Sequence, residues 1–199
     1  MIMTETAVRA TERISRLGIA DEDNLPPRVA ALYKNFEGAP GGVPNWIKAL
    51  AVHPDVLRRF LGYYEALFTP TNGTIPMLER EMIAAVVSGI NGCTYCTMHH
   101  TGGMAGHLGS SERAQRIAHN YREVQLSDRE RAICDFSVKV TEAPDRMHDS
   151  DFEELRTAGL TDEEIFEVLE VAAFFSFSNR LATPLAILPD SALYDFQRS

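Results

Sequence analysis

Apolar residues recur three and four positions apart along almost the whole of this chain, and that period commits it to helices. Val29, Leu32, Tyr33 and Phe36 form one stripe, and Leu57, Phe60, Leu61, Tyr64, Leu67 and Phe68 form a longer one. The longer helix is expected to start at Pro54, because proline's missing N–H has no partner to lose in a first turn. Ala114, Ile117, Ala118 and Tyr121 mark a further helix. Three capping boxes, Ser127 with Glu130, Ser150 with Glu153 and Thr161 with Glu164, place an oxygen three residues ahead of a carboxylate and so open three more. Gly159 closes the short helix between the last two. The alternation that marks strands is almost absent, so the expected fold is all-α, a single-domain helical bundle.

Two segments, Met82 to Val87 and Val171 to Phe177, are apolar nearly all round, which predicts central helices covered on every side. They also resemble each other: residues 84–91 read AAVVSGIN and residues 172–179 read AAFFSFSN, an offset of 88 that suggests an internal duplication. Two such helices need more cover than a few amphipathic neighbours supply, so a homo-oligomer is expected. Residues 1–15 read as an N-terminal tail and 16–199 as the helical domain. With 199 residues and 45% hydrophobic content, one substantial core can form. A net charge of −9 argues against a nucleic-acid or anionic-membrane surface. No apolar run approaches the roughly 20 residues needed to cross a bilayer, and no signal-peptide pattern opens the chain. The expected location is cytoplasmic.

The informative stretch runs from Glu81 to His107, EMIAAVVSGINGCTYCTMHHTGGMAGH, within a hairpin expected over about residues 77–107. Cys93, Cys96 and His100 stand at i, i+3 and i+7 on the second helix and so share one face. That spacing makes a disulfide feasible and puts an imidazole one turn beyond the second sulfur. A position near a helix start and beside a base lowers a thiol pKa. Glu81 belongs to the first helix. At 1.5 Å per residue, Glu81 and His100 each lie about 12–14 Å from the turn, so an antiparallel hairpin brings them level. Ala84, Ala85 and Ser88 share Glu81's face and are small enough for close helix approach. Carboxylate, imidazole and thiol in that order form the arrangement that activates a weak nucleophile.

These residues carry a resemblance. Glu81, eleven residues, then Cys93-x-x-Cys96-x-x-x-His100 resembles the signature of the carboxymuconolactone decarboxylase superfamily in its alkyl hydroperoxide reductase D branch, and its peroxidase-related members in particular. Val43-Pro44-Asn45, His53-Pro54, Arg80-Glu81, Asn91-x-Cys93, Leu126-Ser-Asp-Arg-Glu-Arg, Leu155-x-x-x-Gly159-Leu160 and Asn179-Arg180-Leu181 extend the likeness over about residues 40–185. The resemblance implies an all-α, oligomeric enzyme that reduces a hydroperoxide substrate by cysteine chemistry and is regenerated by a dithiol reductant. It implies Cys96 as peroxidatic thiol, Cys93 as resolving thiol, and Glu81 with His100 as the relay that removes the Cys96 proton. A histidine precedes the second cysteine in that branch, and Tyr95 stands there in this chain. A phenol hydrogen-bonds but is no base near neutral pH, which implies an altered relay.

Other readings compete with these. Two thiolates with His99 or His100 and Glu81 could bind zinc, but the second CxxC or HxxxH usual for structural zinc is missing, and no metal is expected. A redox sensor would use the same disulfide without turnover. The lactone decarboxylase branch of the superfamily lacks the CxxC. His99 lies within a turn of Cys96 but points away from Cys93, and so ranks behind His100. Cys134, beside Ile133 and near Phe136, reads as a small buried hydrophobe. Trp46 and Phe174, Phe175 and Phe177 read as core or subunit interface. Neither GxGxxG nor a P-loop is present, so no nucleotide cofactor is expected.

Overall fold

The computed structural model describes residues 12–39 and 41–195, and every regular element among them is helical. The α-helices are α1 (Pro27–Lys34), α2 (Asn45–Leu50), α3 (Pro54–Phe68), α4 (Met77–Ile90), α5 (Thr94–Leu108), α6 (Ser111–Asn120), α7 (Asp128–Glu142), α8 (Asp149–Thr157), α9 (Asp162–Leu185) and α10 (Ser191–Asp195). Most of the expected tail, residues 1–11, lies outside the described residues. The end of that stretch packs on the domain: the Leu188 N–H donates to the Ile14 carbonyl at 3.0 Å, and Ser15 is buried. No helix among the described residues is long and apolar enough to cross a membrane.

The expected helix signals mostly operate. Pro54 opens α3, and Gly159, at φ +90°, ends α8. Glu130 and Glu164 accept from the backbone N–H of Ser127 and Thr161 at 2.8 and 2.7 Å, closing two capping boxes. The third box shifts by two residues. α8 starts at Asp149, and Asp151, not Glu153, caps it by accepting from the His148 N–H at 2.7 Å. Asp151 is also clasped by Lys139 from α7 at 2.6 Å, a tertiary contact that fixes the earlier start.

α4 lies at the centre, packed against α5, α7 and α9. Met82 to Val87 are all buried, as their apolar character predicts. The matching segment of α9 departs from expectation: Phe174 and Phe175 are buried, but Phe177 is 49% exposed, because α9 covers α4 with one side and leaves the other open. The two similar segments meet at their ends, where Asn91 Nδ2 donates to Asn179 Oδ1 at 3.0 Å. Asn179 Nδ2 in turn donates to Ser88 Oγ at 3.0 Å, pinning the end of α4 to α9.

Candidate functional site

The turn between α4 and α5 sets the cysteines in place. Gly92 adopts φ +67°, its N–H donates to the Gly89 carbonyl at 3.1 Å, and the Cys93 N–H donates to the Ser88 carbonyl at 2.9 Å. That pair of bonds is a Schellman ending, which needs a residue with no penalty in the left-handed region. Cys93 therefore finishes the cap of α4 and is at once the N-cap of α5, with its sulfur accepting from the Cys96 N–H at 3.4 Å. Cys96 falls in the first turn of α5, and the two sulfurs are joined as a disulfide with Cα atoms 5.4 Å apart. Cys134 is free and buried, with its thiol pushed up to about 12 chiefly by that burial.

The antiparallel hairpin brings Glu81 level with His100. Glu81 Oε2 lies 2.7 Å from His100 Nδ1, with both side chains largely shielded from solvent. The space for the carboxylate comes from α5: a Cβ on Gly103 would stand 2.5 Å from Glu81 Cδ and 2.6 Å from Oε2. Of the three small residues on α4, Ser88 serves differently from expectation, facing α9 through Asn179. Gly103 is the residue that the sequence reading missed, and its signal was the Gly102-Gly103 pair inside an otherwise helical pattern.

His100 is walled by rings, with Phe175 at 4.5 Å edge-on and Phe68 at 5.3 Å. Together with Cys96 it borders a cavity of about 40 Å³ that is almost wholly apolar and is shared with Trp46, Tyr64, Tyr95 and His99. A space of this size holds a few atoms of a small molecule. Trp46 and Phe175, expected as core or interface, are thus part of the cavity wall. Cys93 borders a separate, wider hollow of about 690 Å³ beside α6, shared with Thr97 and Tyr121. The disulfide spans the two spaces.

Tyr95 lines the cavity, but its hydroxyl is engaged elsewhere, donating to Asp190 Oδ2 at 2.5 Å. Burial, reinforced by the Asp190 charge, raises its pKa far above the ordinary phenol value, so it stays neutral. Asp190 also accepts from the Asn45 N–H at 2.9 Å, and Asn45 Nδ2 donates to the Leu188 carbonyl at 2.9 Å. Tyr95 therefore fastens the segment after α9 over the cavity, next to Ile187 in its wall. His99, also in the wall, stacks near Tyr95 at 6.3 Å and meets His100 edge-on at 4.9 Å. Burial, with help from His100, pushes its pKa down to about 4 against the opposing pull of Glu81. Among the described residues no three His, Cys, Asp or Glu side chains are grouped so that they could hold a metal ion.

Residues 54–135 match the carboxymuconolactone decarboxylase family. The chain is similar to the solved alkylhydroperoxidase AhpD core of an uncharacterized peroxidase-related protein from Ralstonia eutropha JMP134. The identity is 32%, over 95% of this chain and 99% of that one, with a TM-score of 0.88. It is also similar to an uncharacterized peroxidase-related protein from Silicibacter sp. TM1040, at 32% identity over 92% and 95% of the two chains and a TM-score of 0.83. The debrominase Bmp8 shares the fold, at 20% identity over 93% and 96% of the chains and a TM-score of 0.72. No curated protein sequence matches the chain. A common helical frame over nearly the full length at this identity, with the Glu81, Cys93, Cys96 and His100 pattern at its centre, means that the chain belongs to the carboxymuconolactone decarboxylase superfamily, among its AhpD-like members.

Proposed function

We propose that the protein is a thiol peroxidase that reduces a hydroperoxide through a Cys93–Cys96 dithiol/disulfide cycle. The observation that carries the reading is the 2.7 Å contact between Glu81 and His100 on the wall of the cavity that Cys96 borders. With the carboxylate holding Nδ1–H, the tautomer leaves Nε2 as the acceptor, a hydrogen placement assigned from the bonding pattern. In the reduced protein Nε2 takes the Cys96 proton. The thiolate attacks the terminal oxygen of the hydroperoxide, an S–O bond forms as the O–O bond breaks, and the departing alkoxide takes the proton back from His100 as an alcohol. The Cys93 sulfur then attacks the Cys96 sulfenic acid, the S–O bond breaks, and the released hydroxide leaves as water with the Cys93 proton. A dithiol reductant gives up two electrons and two protons to restore both thiols, becoming a disulfide itself.

Cys96 is the first thiol oxidised because an aligned base is worth about 10²–10⁴-fold in rate, more than the about 0.3–1 kcal/mol of a helix dipole at an exposed end. Cys96→Ser should abolish peroxide consumption in the presence of a regenerating dithiol, and Cys93→Ser should stop after one turnover with a sulfenic acid on Cys96. Sulfenic acid trapped on Cys93 in the Cys96→Ser protein would reverse the roles. Steady-state consumption also separates this reading from a redox sensor, which would oxidise once and stop. A homo-oligomer accompanies the proposal, supported by Phe166 at 70% and Phe177 at 49% exposure on α9. Light scattering should return more than the 22.1 kDa of one chain.

A further inference from the structure

Three polar groups in the cavity wall are already engaged. Cys96 is the reacting sulfur, the His100 Nδ1 is held by Glu81, and the Tyr95 hydroxyl is held by Asp190. His99 is different. Its ring touches Tyr95 and His100 only as a ring, and neither nitrogen takes part in a hydrogen bond among the described residues. It lies one helical turn from Cys96, on the wall of the same cavity. A half-buried imidazole with no hydrogen-bond partner among the described residues, on the wall of a nearly apolar space where a neighbouring thiol reacts, is free to bond a polar group that enters.

We infer that His99 is the substrate-contact residue of this cavity, its ring N–H donating to the hydroperoxide oxygen that leaves as alkoxide. The inference rests on the peroxidase reading of Cys96 and adds a second histidine with a separate task. His100 moves the proton. His99 holds the leaving oxygen while negative charge grows on it, the role of an oxyanion donor. The depressed pKa fits the task, because a neutral imidazole has one N–H to donate and places no second positive charge beside His100. The sequence reading ranked His99 behind His100 because it points away from Cys93. The cavity that His99 lines is bordered by Cys96 and not by Cys93, so a peroxide seated there meets Cys96 on the side away from Cys93.

The test separates substrate contact from an effect on the thiol. Reduced parent protein, His99→Leu and His99→Asn are each mixed with cumene hydroperoxide, and Cys96 oxidation is followed by the fluorescence of Trp46 in the cavity wall and by mass. In parallel, each is alkylated with iodoacetamide across pH, which reports the thiolate but releases no alkoxide. His99→Leu should oxidise about 10²-fold more slowly, the usual loss for one oxyanion donor, with an unchanged alkylation rate and pH profile. His99→Asn keeps an N–H donor and should recover part of the rate. His100→Phe should slow both reactions. Oxidation of His99→Leu at the parent rate, or alkylation that falls in step with oxidation, would overturn the assignment. If the reduced parent protein forms neither sulfenic acid nor disulfide with any hydroperoxide, the peroxidase reading itself falls, and this assignment with it.

Discussion

Three consecutive charged residues open α4, and the protein treats them in two ways. On one side, Glu79 pairs with Arg129 at 2.7 Å, and Arg80 pairs with Glu167 at 2.8 Å. Arg80 also donates to the Leu67 carbonyl at 2.8 Å, and Glu167 accepts from Thr74 Oγ1 at 2.8 Å and from the Ile75 N–H at 3.1 Å. These bonds tie the loop after α3 down to α9, passing so close to Gly73 that a Cβ there would collide with the Glu167 carboxylate. On the other side, Glu81 faces α5 and meets an imidazole instead of a guanidinium. Arginine does not give up its proton in a protein, whereas histidine changes charge near neutral pH. One side of the turn is therefore fixed structure and the other can move a proton, although the burial and the carboxylate chemistry are alike.

The sharpest way to break this comparison is to remove the proton-moving pair. In a Cys93→Ser background, Glu81→Gln or His100→Phe should slow sulfenic acid formation on Cys96 by about 10²–10⁴-fold, with the helical circular dichroism retained. An undiminished rate would refute the relay. On the opposite side, Arg80→Leu leaves a buried carboxylate unpaired and should cost about 3–5 kcal/mol in urea denaturation. Its rate of Cys96 oxidation under native conditions should match that of the parent protein. A large rate loss without a stability loss would mean that the two sides are not separate.

How much of this was legible in the sequence depends on whether the interaction is local. The i, i+3, i+7 cysteines and histidine and two of three capping boxes follow from spacing within one or two turns of helix. The Glu81–His100 contact also followed, because both residues are equidistant from a tight turn. The bonds made across the chain did not. Asp190 lies 95 residues from Tyr95, and nothing local announces that this carboxylate will take the phenol and turn Tyr95 into a fastener. Glu167 likewise reads as an exposed helix residue until the loop around Gly73 closes on it. Phe177 misled because an apolar run shows what a helix could bury but not which side its neighbours leave open.

Gly103 offers a milder test of the same relay. A methyl group there would displace the end of the Glu81 side chain, which is flexible, so Gly103→Ala should fold while weakening the carboxylate's hold on His100. The expected loss in Cys96 oxidation is on the order of ten-fold, as for one charge-assisted hydrogen bond. Glu81→Asp, whose shorter side chain leaves room for the methyl, should lose less when combined with Gly103→Ala than the two separate losses multiplied together. Strict multiplication of the two effects would show that Gly103 does not act through Glu81.

The last expected effect concerns acid. His99 has its pKa pushed down from 6.5 to about 4 by burial and by His100, with Glu81 pulling the other way. Because the folded value is the lower one, the unfolded chain binds the proton first as pH falls. The stabilising contribution is fully present above pH 6.5 and is lost as pH drops toward 4. The partial exposure of His99 limits the loss to on the order of 1–3 kcal/mol. Glu164 and Asp151, whose pKa values are lowered by hydrogen bonds to backbone N–H groups and to Arg129 and Lys139, also lose stability in acid, but below their ordinary values of 4.5 and 3.8. The two windows overlap only below about pH 4.5, and the arginine side of α4 contributes no slope of its own from the guanidinium groups. Urea midpoints measured from pH 7 to 4 should fall in the parent protein and stay flatter between 6.5 and 4.5 in His99→Leu. Parallel curves for the two proteins would place the acid sensitivity elsewhere and would show that His99 takes up its proton as readily in the fold as outside it.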